Sequence, residues 1–175
     1  MSLELLEHTS EAYSDSEWKP RESSQRRAFN RYAQAPASFL SRRLHVKFGR
    51  GVSLEFGEPP SRLMPAIERI VSVGSLQSNW DSYRAMPVDP LCAAAAITFV
   101  LNNVNDQMPL PSAVPTSRGG VQLEWHCKGV DVEIEFSSPS RTRFAFEDCR
   151  TGETEEQVLF GDFRPLARIL QRLSH

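Results

Sequence analysis

Cysteine is scarce in this chain: Cys92, Cys127 and Cys149 are the only three in 175 residues. They are too few, and odd in number, to frame a disulfide-stapled fold. So little cysteine fits a reducing compartment, and a cytoplasmic setting is expected. Long apolar runs are also missing. No stretch approaches the ~18–20 residues needed to cross a bilayer, which excludes a helical span, so no membrane partner is expected. The first 20 residues are acidic and lack the apolar centre of a secretory signal, so none is expected there. Neither Cys-x-x-Cys nor His-x-x-x-His occurs, and no Gly-x-Ser-x-Gly or Walker sequence is present. The one Gly-x-Gly, Gly49–Gly51, lacks the remaining glycine of a dinucleotide loop and sits between two strand-like segments. These gaps give no expectation of a cofactor, a resident metal or a catalytic residue.

What the chain does have is segmented charge. The net charge of -2 conceals three blocks. Residues 1–18 carry five carboxylates and no Lys or Arg. Residues 19–50 carry nine basic side chains against Glu22 alone, a net of +8, and residues 51–175 return to a net of -5. Such asymmetry points to an interaction surface. Arg21, Arg26, Arg27, Arg31, Arg42 and Arg43, with Phe29 and Tyr32 among them, are expected to bind a partner. Guanidinium forks suit carboxylates and phosphates alike, and aromatics can anchor a protein or stack on bases. Another protein is the expected partner. Nucleic acid through residues 19–50 is the alternative, disfavoured because a dedicated nucleic-acid domain is usually basic as a whole.

Residues 1–39 are poor in core-forming side chains and are expected to form a charged arm, disordered alone or ordered by a partner. Residues 40–175 read as a single α+β domain. Leu44, Val46 and Phe48, then Val52, Leu54 and Phe56, alternate with polar residues and predict a β-hairpin. Leu63, Ile67, Ile70 and Val71 recur at helical spacing, with Ser61 as the expected N-cap. Asp89 and Pro90 open a second helix, with Ala93, Ile97, Val100 and Val104 as its buried stripe. A proline-rich connector (Pro109, Pro111, Pro115) is expected to be extended. Strict alternation then predicts strands over Val121–Cys127, Val130–Phe136 and Thr142–Phe146, with a short one at Glu156–Phe160. Asp162 is expected to cap a last amphipathic helix. The fold expected is an antiparallel sheet of about four to six strands, packed on one face against two to three helices.

The segment Asn79-Trp80-Asp81-Ser82-Tyr83 is the most distinctive. Together with Asp89-Pro90, the proline link and Gly120-Val121-Gln122-Leu123-Glu124-Trp125, it resembles an uncharacterised group of small bacterial proteins. That group has a Trp-Asp-x-Tyr segment, a helix, a proline-rich link and a Gly-x-x-Leu-Glu-Trp strand. The resemblance spans roughly Leu63 to Phe146, leaves the charged arm and last helix outside, and implies no activity. This chain departs from it at Arg84-Ala85-Met86, where such proteins more often carry Gly followed by a small residue. Physically, Trp80 and Tyr83 are expected to plug the junction between the first two helices while Asp81 caps turn amides. Alternatively, Trp80, Asp81 and Tyr83 form a recognition patch.

Glu124, His126, Asp131, Glu133 and Glu135 share the polar face of adjacent expected strands. Carboxylates beside a histidine can do acid–base chemistry or hold a divalent metal. Arg141 and Arg143 on the next strand make cross-strand pairing the simpler expectation. The function expected is a non-catalytic bacterial protein-binding module of the immunity, antitoxin or defence-regulator type, acting by occlusion. A metal-dependent hydrolase or nuclease on the acidic face, and a nucleic-acid accessory protein acting through the arm, are the alternatives.

Overall fold

Alternating apolar and polar residues put strands along much of the chain, and a computed structural model, which describes residues 43–48 and 52–174, shows what they build. β1 (Arg43–Phe48) and β2 (Val52–Gly57) pair antiparallel as a two-stranded sheet. Leu44 lies opposite Phe56, Val46 opposite Leu54 and Phe48 opposite Val52, so one face of the hairpin is apolar. α1 (Met64–Gly74) and α2 (Pro90–Asn103) follow. Then come β3 (Ser112–Pro115), β4 (Val121–Cys127), β5 (Val130–Ser138), β6 (Arg141–Asp148), β7 (Glu153–Leu159) and α3 (Ala167–Arg172). The last five strands form one antiparallel meander in the order β3-β4-β5-β6-β7. The fold is α+β, as expected.

Period-two patterning decides which face is buried. Leu123 and Trp125 of β4, Val132, Ile134 and Phe136 of β5, and Phe144 and Phe146 of β6 all point inward. They join Ile67 and Ile70 of α1 and Ala93, Ile97, Phe99 and Val100 of α2 in one core. Phe99 packs edge-on against Phe136 and Phe163, with ring centroids 5.8 and 5.0 Å away. α2 starts as its sequence predicts: Asp89 Oδ1 accepts from the Leu91 amide at 2.9 Å and Pro90 takes the first turn. The alanines let neighbours come close. At Gly74, the end of α1, an added Cβ would lie 2.6 Å from the Phe48 ring and 2.8 Å from Ala93 Cβ. Only glycine fits where hairpin, α1 and α2 meet.

Three expectations change and one, the extended connector, is refined. Ser61 makes no side-chain cap. It opens a 3-10 turn (Ser61–Leu63), and α1 begins only at Met64 with Pro65 in its first turn, where a missing amide costs no helical bond. The proline-rich connector contains an edge strand, because Ser112–Pro115 pairs with Val121–Glu124 and an edge tolerates proline. β7 begins at Glu153, three residues earlier than expected, in register with Asp148. The last helix also enters through a 3-10 turn (Arg164–Leu166), with Asp162 Oδ1 accepting from the Arg164 amide at 3.0 Å. α3 is therefore short, and arginines dock it. Arg168 reaches Glu153 and Glu155 at 3.0 and 2.8 Å, and Arg172 reaches Glu153 at 2.6 Å while lying 5.0 Å above the Phe146 ring.

Candidate functional site

Between α1 and α2 the chain makes a loop, residues 75–89, in which three non-glycine residues adopt left-handed backbone angles. Asn79 (φ 63°), Ser82 (φ 65°) and Arg84 (φ 71°) all sit there. An L-residue in that region crowds its Cβ against the backbone, at a cost of roughly 1–2 kcal/mol each unless surroundings enforce it. The surroundings are on the page. Asp81 Oδ1 accepts from the amides of Tyr83 (2.7 Å) and Ala85 (3.1 Å), so Asp81 takes the turn role its residue type predicts. Asn79 Oδ1 accepts from the Arg84 amide at 2.9 Å, and the Asn79 amide donates to the Ala85 carbonyl at 2.8 Å. The indole of Trp80 donates to the Met86 carbonyl at 3.2 Å. The loop is stapled outward as well: the Met86 amide donates to Ser117 O and the Asp89 amide to Gly119 O. Gly119 has φ 88°, and a Cβ there would lie 2.8 Å from the Pro87 carbonyl. Ala85 and Val88 are buried and anchor the loop in the core.

This brace presents an aromatic to solvent. Tyr83 is 87% exposed and Met86 58% exposed, with Arg84 exposed between them. Tyr83 therefore does not plug the helix junction: the left-handed residues on either side of it turn its side chain away from the core. Trp80 is half-buried and Asp81 lies beneath the turn. The backbone at Arg84 is left-handed, the conformation glycine takes most readily. Arg43 opens β1, is exposed and pairs with Glu55. Arg21, Arg26, Arg27, Phe29, Arg31, Tyr32 and Arg42 lie outside the described residues.

The outer face of the meander is the second concentration of chemistry. Across β4 and β5, Glu124 lies opposite Glu133 and His126 opposite Asp131. His126 Nδ1 is 2.9 Å from Asp131 Oδ1, and its Nε2 is 3.6 Å from Glu124 Oε2. The hydrogen bond to Asp131, more than the field of Glu124, raises the imidazole above its usual range. Arg143 bridges Glu135 (3.8 Å) and Glu156 (3.6 Å), as expected of a cross-strand pair. Arg141 does not: it sits at the turn opposite Ser138 and makes no ion pair among the described residues. Around Ala145 a shallow hollow of about 330 Å³ is rimmed by Asp131, Glu133, Glu147, Thr154 and Glu156.

Residue-by-residue reading does not foresee the contact of Cys149, whose thiol donates to Asp131 Oδ2 at 3.7 Å. Only register could have found it, since the Cys149 amide donates a hydrogen bond to the Gly129 carbonyl in the β4–β5 turn at 2.8 Å. Desolvation, then the charges of Asp131 and Glu147, raise this thiol above its ordinary value. A nucleophilic cysteine needs the opposite shift. Among the described residues no group of three or more His, Cys, Asp and Glu is arranged to hold a metal ion. No helix among them is long and apolar enough to cross a membrane. Comparison with protein-family models, with curated proteins and with solved structures finds no match to this chain.

Proposed function

We propose that this chain is a non-catalytic protein-binding module of the bacterial immunity, antitoxin or defence-regulator type, acting by occlusion in a cytoplasmic setting. The observation that carries the proposal is Tyr83, 87% exposed at the tip of a loop whose backbone is fixed from within. Tyr and Arg dominate the energetics of protein interfaces, because they combine large contact area with hydrogen bonding. A loop already held in one conformation loses little entropy on docking, so its contacts convert more fully into affinity. Trp80 and Asp81 position this patch from below, and Tyr83, Arg84 and Met86 make the contact. The arginine-rich segment 19–50 adds charge that steers association and favours acidic partner surfaces.

The hydrolase alternative draws on the hollow around Ala145, and the arrangement there supports it less. The histidine nearby is engaged by two carboxylates, and the adjacent thiol is shifted upward, away from the thiolate a nucleophile needs. The test is comparative capture from native-host lysate, using the full chain and its Tyr83→Ala variant as baits. The variant should retain its thermal midpoint and recover the dominant partner at least ~10-fold less, as for an interface hot spot. Equal recovery by both baits would remove the loop from the mechanism.

A further inference from the structure

The two edges of the meander are finished differently. β3 is four residues long, ends in Pro115, lies along α1, and has its Ala113 carbonyl occupied by Arg69 Nε at 3.1 Å. Short length, proline and a covering helix are the devices that blunt a sheet edge. Among the described residues β7 has none of these three; its inward-pointing charges, Glu153 and Glu155, are neutralised by Arg168 and Arg172 of α3. The strand runs seven residues, Glu153–Leu159, without proline, lysine or a register break, and among the described residues pairs with β6 alone. Among the described residues the only side-chain bond to its backbone is Thr151 Oγ1, which accepts from the Glu153 amide at 3.3 Å.

Its side chains give this edge a sign. β7 carries Glu153, Glu155 and Glu156 and no base. Glu153 and Glu155 are engaged from the inner side by Arg168 and Arg172 of α3. Glu156 faces outward, in register with Ala145 and Glu133; Arg143 lies 3.6 Å from it on one side, while the hollow it shares with Asp131, Glu133 and Glu147 stays acidic. At the far end Val158 (37%) and Phe160 (75%) are exposed apolar side chains. A second copy is a poor occupant: two β7 strands paired antiparallel about their middle residue would set Glu156 against Glu156, and like charges directly opposite destabilise.

The geometry points to strand addition at β7: an extended segment of another polypeptide, bearing lysine or arginine on one face, joins the meander as a sixth strand. Main-chain bonds to the open edge supply affinity, and alternate side chains supply selectivity. Basic side chains of the incoming strand lie beside Glu156 and the carboxylates around the hollow. An apolar residue at its end meets Val158 and Phe160. This surface is distinct from the Tyr83 loop and does not depend on it.

The test uses the full chain, isotopically labelled, and a short synthetic peptide alternating lysine with valine. A control peptide has the same sequence with alternate backbone amides N-methylated, which keeps the charge and removes the ladder bonds. The unmodified peptide should bind and slow hydrogen exchange at β7 amides that do not face β6. The methylated peptide should bind at least ~10-fold more weakly, as expected when several ladder bonds are lost. Glu156→Lys should weaken the unmodified peptide about fivefold, from reversal of one cross-strand pair. Failure to bind, equal affinity of the methylated peptide, or protection away from β7 would each overturn the proposal. Self-association that protects β7 without peptide would also overturn it, by assigning the edge to a second copy.

Discussion

A single carboxylate organises the loop that presents Tyr83. Asp81 accepts two amides through one oxygen, and those amides flank the left-handed Ser82 and Arg84. Removing it leaves the turn without its internal partners, so the loop loses preorganisation before the core loses stability. Elsewhere His126 answers to pH. Its folded pKa is raised, chiefly by the hydrogen bond it donates to Asp131, above the ordinary 6.5. A raised group stabilises the folded state fully below its unfolded pKa, and that contribution disappears as pH rises through the folded value. The effect on stability is small, because the ring is more than half exposed and solvent screens the pair. The titration itself is the sensitive readout. An NMR titration should give His126 a midpoint above 6.5, and Asp131→Asn should bring it down. An unchanged midpoint in the variant would mean that the pair does not form in solution.

At the scale of elements, the C-terminal helix is held by apolar burial of Ile169, Leu170 and Leu173 and by ion pairs together. α3 is a helix of six residues, too short to stand alone, and its arginines tie it to Glu153 and Asp148. The hydrogen bonds of Arg172 and Arg168 lower the pKa of Glu153, and that of Asp148 is lowered chiefly by the Arg150 amide. A depressed carboxylate stabilises the fold above its unfolded pKa, and the contribution is lost as pH falls through the folded value. Acidification from pH 5 towards 3 should therefore (the ordinary values being 4.5 and 3.8) release α3 first. Hydrogen exchange at residues 167–172 should accelerate while β4–β6 amides stay protected; simultaneous loss would show that the arginine ties are not what holds α3.

These elements were unequally legible. β4 to β6 and the start of α2 are plain in the sequence, because one buried face writes a period-two pattern and Asp89-Pro90 is a start signal with one meaning. β3 was hidden, since a proline-rich stretch looks the same in a connector and on a sheet edge. The outward turn of Tyr83 was hidden too: an aromatic in a polar loop carries no local mark of which way left-handed neighbours will aim it. The proximity of Cys149 to Asp131 needed the register of three strands.

For the whole molecule, one apolar core joins the hairpin, the helices and the meander, and every described element contributes to it or is tied to it by charge. The described residues all fall within the unit Ser41–His175. Deleting residues 1–35 should therefore leave a cooperative thermal transition, and loss of that transition would place part of the charged arm in the core. Occlusion is a claim about what this molecule covers and which surface does the covering. The most direct measurement is hydroxyl-radical footprinting of Tyr83 in the full chain, free and saturated with its captured partner. At 87% exposure the free ring should react readily, and in the complex its modification should fall several-fold, as for an anchor excluded from water at an interface centre. Equal modification of Tyr83 in the free chain and in the saturated complex would contradict binding through this loop.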